Sequence, residues 1–154
     1  MKFIEDAEEE LKRVDHLIYV SLKYTRTVDV LKNIIERLLS TFDAAMDVVL
    51  EKAVEENKLI EVPSAPLQKC EELRKLYPLD EKIRDYMEFY VLLRKLRRCE
   101  YNSINEYRRH VAMIAHLEEG DIELNIDIIT EYYKRLKKFI EYVKAEILGI
   151  GEKL

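Results

Sequence analysis

The first glycine in this chain is Gly120, and only Gly149 and Gly151 follow it. For 119 residues the backbone has no position that can turn left-handed at no steric cost. That excludes a Walker A loop and a Gly-rich dinucleotide turn, both of which need glycine where backbone approaches phosphate. It also argues against a doubly wound sheet. At 154 residues the chain has the length of one domain, and residues 1–154 are read as a single one. Charged residues make up 37%, against about 25% in an average protein. Such a surplus belongs on the outer faces of slender amphipathic helices.

The apolar pattern agrees. Ile4, Ala7, Leu11, Val14 and Ile18 recur at spacings of three and four, which predicts a helix over 4–23. After a looser stretch in which Thr25 or Thr27 is a candidate cap, residues 28–57 give the most apolar helix. Val28, Leu31, Ile35, Leu38, Phe42, Ala45 and Val49 form one seam, widened by Ile34, Leu39, Met46, Val48 and Leu50. A helix apolar over so much of its circumference is covered by several neighbours. KLIEVPSAP is a linker, LQKCEELRKLY a short helix ended by Pro78, and Asp80 a cap for a helix over 81–99. Ser103 to Glu106 has the form of a capping box, predicting one more helical turn. From Val111 to Asp127 the period becomes two on both sides of EEGD, a β-hairpin signal. A last helix over about 128–148 ends at Gly149 and Gly151. The expected fold is mainly all-α: an up-and-down bundle of four to five helices with a small β-hairpin before the last one.

Most metal chemistry lacks its residues. No Glu is followed three positions later by His, so the di-iron bundle pattern fails, and His-Glu-x-x-His and Glu-Glu-x-x-Glu are absent. Asp43, Asp47 and Glu51 share a helix face, but like charges at that spacing ordinarily mark a solvated stripe. No metal or cofactor is expected. Cys70 and Cys99 match no zinc or redox spacing and are expected to be reduced thiols. The opening MKFIEDAEEELKR lacks the apolar stretch of a signal peptide, and no run of about 20 apolar residues occurs. A cytoplasmic protein without a membrane span is expected.

With 26 Lys and Arg against 31 Asp and Glu, the formal charge is −5. Against that background the segment from Arg94 to His110 stands out. It holds Arg94, Lys95, Arg97, Arg98, Arg108 and Arg109 against only Glu100 and Glu106, with Tyr101 and Tyr107 interleaved. Cations beside aromatic rings suit a nucleic-acid backbone and its unpaired bases, which makes Arg94, Arg97, Arg98, Tyr101, Arg108 and Arg109 candidate RNA contacts. The plainer reading is that these side chains pair with the acidic first helix or with a second subunit. Arg109 and His116 are the candidate catalytic pair. On a continuous helix seven positions return to nearly one face, and an imidazole and a guanidinium there would suit metal-free cleavage of RNA. On a strand the same separation turns them to opposite faces.

The Arg-to-His string RHVAMIAH in a compact helical bundle resembles the HEPN superfamily. The central ERLLSTFDAAMDVVLEKA looks like that family's Ala-rich core helix, and LRKLRRCEY is similar to the basic stretch with a closing Tyr of its non-catalytic branch. The resemblance runs from about residue 28 to 147. It implies paired subunits that bring two Arg/His pairs into one cleft, and in many members a ribonuclease or toxin activity. Carried over, Arg109 and His116 would be the catalytic pair and His110 the polar residue beside the arginine. The expected function is a HEPN-like protein that self-associates as a homodimer and binds RNA or a protein partner. The alternatives are a metal-independent endoribonuclease and a purely structural interaction module that uses its ten tyrosines as contact surface.

Overall fold

The computed structural model describes residues 2–150. Gly151, half of the expected helix terminator, lies outside them. The order is α1 (Ile4–His16), α2 (Leu22–Tyr24), α3 (Val28–Glu55), α4 (Pro66–Leu76), α5 (Glu81–Arg98), β1 (Glu100–Ile104), β2 (Ala112–Leu117), β3 (Gly120–Asn125) and α6 (Ile126–Tyr142). The fold is mainly all-α with a small sheet.

The expected 4–23 helix forms, with one modification. Leu17–Ser21 widens into a π-helical turn that joins α1 to α2, and Leu11, Val14, Ile18 and Leu22 still fall on one buried stripe. α3 is the central helix, packed by α1, α4, α5 and α6. Thr27 is its cap: its hydroxyl accepts from the Val30 amide at 3.3 Å. Asp80 caps α5 by accepting from the Lys82 and Ile83 amides at 3.0 and 3.2 Å, and its other carboxylate oxygen accepts from the Tyr142 hydroxyl. α6 begins two residues earlier than the pattern placed it, because Asn125 takes the cap and accepts from Ile128 at 2.9 Å. It runs on through a second π-helical turn, Val143–Ile147, to a left-handed Gly149 at φ 68°.

The hairpin is present as β2 and β3, but it gains a third strand. The Ser103–Glu106 segment is not a helical turn. Ser103 instead sits in β1 opposite Met113, giving an antiparallel sheet of order β1-β2-β3. The capping acid has found another helix: Glu106 accepts from the Val28 amide at 3.2 Å and so closes the start of α3, 78 positions away. Register then sorts the sheet's two faces. Met113, Ala115 and Leu124 are buried against the bundle, while Asn102, His116, Asp121 and Glu123 lie on the exposed face.

The carboxylates along α3 have partners from outside that helix. The Tyr90 hydroxyl donates to Asp43 at 2.6 Å, Lys69 pairs with Asp47 at 2.8 Å, and the Lys2 amide donates to Glu51 at 2.6 Å. The Lys69–Asp47 contact is an ion pair off the line of a good hydrogen bond, since Asp47 Oδ1 has no aligned donor. The carboxylate stripe on α3 is thus divided among three partners. Nearby, burial pushes the Cys70 thiol up to about 11 and also raises that of Cys99. A thiolate is the reactive form, so neither cysteine should react quickly with an aromatic disulfide reagent at pH 8 in the folded protein. Both should react within the dead time in denaturant, and rapid modification of Cys70 before unfolding would contradict its burial.

Candidate nucleic-acid interface

Two of the three non-glycine residues with positive φ among the described residues lie in the segment that joins β1 to β2. Asn105 and Tyr107 both have positive φ, 53° and 66°, a region that non-glycine residues enter at a cost of order 1 kcal/mol or more. Local bonds hold it there. The Tyr107 amide donates to the Arg26 carbonyl at 2.7 Å, the Asn105 side-chain amide donates to the His110 carbonyl at 3.2 Å, and Glu106 is fixed on α3. The loop therefore presents Tyr107, 79% exposed, together with exposed Arg108, Arg109 and His110.

Behind the loop lies a cleft of about 430 Å³. Arg26, Arg109 and His110 line it, together with Glu123, Asp127, Asn105 and Asn125. Glu123 is oriented by a short relay: the Ile128 amide donates to Asn125 Oδ1, and Asn125 Nδ2 donates to Glu123 at 2.8 Å. No ion pair joins Arg26, Arg108 or Arg109 to a carboxylate among the described residues.

The sequence candidates divide into two groups. Arg94, Arg97 and Arg98 belong to the last turns of α5, at the start of β1, whereas Arg108 and Arg109 follow its end. Five strand residues, about 16 Å of chain at roughly 3.3 Å per residue, lie between the groups. The α5 group is partly engaged. Arg97 pairs with Glu36 at 2.9 Å, and Arg94 lies 6.0 Å from the Tyr90 ring centroid. Tyr101 is half-buried, with Lys32 on α3 4.6 Å from its ring centroid. Among the described residues the ion pairs of this group reach α3 and the hairpin turn, where Lys95 meets Glu119 at 2.8 Å, and none reaches α1.

Arg109 and His116 stand at opposite ends of β2, Arg109 in the loop before it and His116 near its last residue. Extended backbone carries them apart, so the helical-face geometry does not apply. Both imidazole nitrogens of His116 are occupied: Nδ1 meets Asp121 at 2.8 Å, and Nε2 meets the Asn102 side chain. The imidazole that shares the cleft with Arg109 is that of His110.

Arg26, Glu123 and Asp127 were missed by sequence reasoning. They come from the α2–α3 connection, β3 and the first turn of α6, and nothing local announces their meeting. The only hint is that each lies within three residues of a helix cap, at one end of the bundle. No His, Cys, Asp or Glu side chains gather in threes to hold a metal among the described residues, and no helix there is long and apolar enough to cross a membrane. Among known proteins, no family model, no curated sequence and no solved structure matches the chain.

Proposed function

We propose that the protein is an RNA-binding helical module, HEPN-like and self-associating, that grips single-stranded RNA at the β1–β2 loop and the cleft behind it. The observation that carries this reading is the loop itself: left-handed backbone, anchored at both ends, that holds an exposed tyrosine beside Arg108, Arg109 and His110 with Arg26 alongside. A ring for base stacking next to unpaired cations is what a flexible, unpaired strand needs from a protein of net negative charge. Tyr19, Val20 and Tyr24, exposed by 53%, 39% and 80%, support self-association by leaving apolar surface on the π-helical turn and α2.

Fluorescence anisotropy with a labelled single-stranded RNA tests the binding. Three phosphate contacts, from Arg26, Arg108 and Arg109, give a log–log salt slope of about −2, or roughly a twentyfold loss between 50 and 200 mM salt. Arg26→Ala and Arg109→Ala should each weaken binding several-fold and flatten the slope by about 0.7. Absence of binding at 50 mM salt would remove the proposal. Incubating the same RNA in EDTA tests the ribonuclease alternative, and cleavage lost on Arg109→Ala would favour it. Light scattering on the same sample reads self-association, and a monomer at all concentrations would remove that half.

A further inference from the structure

The cleft holds separated charge. Arg26 and Arg109, with His110, share it with Glu123 and Asp127, yet no ion pair joins the two sets among the described residues. A ligand that fits must itself be dipolar, with an anion for the guanidinium groups and hydrogen-bond donors for the carboxylates. On the RNA reading above, we infer that the cleft selects guanine, whose Watson–Crick edge donates to Glu123 while the neighbouring phosphate meets Arg26 and Arg109.

The choice of base follows from donor patterns. A carboxylate only accepts, and it accepts best from two parallel donors. Guanine presents N1–H and N2–H side by side. Adenine and cytosine each set one donor beside an acceptor, and uracil sets one donor between two carbonyl oxygens, so each would turn a lone pair toward the carboxylate. Glu123 is prepared for the task, since Asn125 Nδ2 holds one of its oxygens at 2.8 Å and is itself fixed by the α6 cap. The volume, about 430 Å³, admits a base with its sugar. Tyr107, in the same loop as Arg109, is 79% exposed and available to stack on the next base.

The experiment compares four labelled uridine decamers with G, A, C or U at the centre, and a fifth with inosine, which lacks the N2 amino group. The wild type should prefer G by ~10-fold, the discrimination typical of one bidentate base contact, with inosine intermediate. Glu123→Gln keeps the acceptor for Asn125 but replaces one carboxylate oxygen with an amide. It should abolish the preference, so that the G strand binds no more tightly than the all-uridine strand. Arg109→Ala should weaken every strand alike. Equal, salt-sensitive binding of all five strands would overturn the guanine inference and leave the RNA reading standing. A preference that survives in Glu123→Gln would overturn it as well. No binding to any strand would overturn the RNA reading itself.

Discussion

Phe42→Ala should lower the unfolding free energy by about 4 kcal/mol and the melting temperature by roughly 8–16 °C for a chain of this size. The magnitude follows from where the ring sits. Phe42 is fully buried on the central helix, and its centroid lies 4.8 Å from Phe139, 5.1 Å from Tyr90 and 5.8 Å from Phe89. Those contacts join α3 to both α5 and α6. Truncation leaves a cavity that three rigid aromatic rings cannot readily collapse into, so the loss includes a cavity penalty on top of the transfer term. Against a total stability of about 5–15 kcal/mol the change is severe. Urea denaturation checks it, and a loss under about 1.5 kcal/mol would mean that the cluster does not bind these helices together.

Tyr90→Phe probes the polar side of the same cluster and should cost about 1–2 kcal/mol at pH 7, the penalty for leaving a half-buried carboxylate without its donor. Its pH dependence is the sharper test. Burial raises the Asp43 carboxyl above 3.8, and the Tyr90 hydrogen bond partly opposes that rise. A carboxyl raised in the folded state binds its proton more tightly there than in the unfolded chain. Its burden on stability is therefore absent at acid pH, grows as pH climbs from the unfolded value through the folded one, and is constant above. Removing the hydroxyl raises the folded value further, so the difference between wild type and variant should be largest at neutral pH. It should shrink as pH falls into the carboxyl range. Paired urea titrations at pH 7 and 4.5 measure this, and a difference independent of pH would show that Asp43 does not feel the lost donor.

The helices were legible because their signals are local. Apolar periodicity, Thr27, Asp80 and the Pro66–Pro78 bracket place α3, α4 and α5 within about two residues. The hairpin was legible from its period and from Gly120. The third strand was not, because EYNSI has little apolar alternation, and its residues are strand only through pairing with β2. Glu106 shows the same limit more sharply. It was recognised as a capping acid, but the helix it caps begins 78 residues earlier, and a motif carries no information about partners so distant. The candidate site was half legible for that reason: Arg108 and Arg109 stood out as charge, whereas the cleft that Arg109 shares with Arg26, Glu123 and Asp127 exists only once α3 and α6 start at the same end of the molecule.

The anchoring of the β1–β2 loop also bears on kinetics. A segment already bonded to Arg26, His110 and the first turn of α3 has surrendered its backbone freedom during folding. On the proposed RNA reading, a strand arriving there would have no protein chain left to order, only water to displace and a few long cationic side chains to still. Association should then run at the speed of steered diffusion, and differences among sequences should be read mainly in how long each complex lasts.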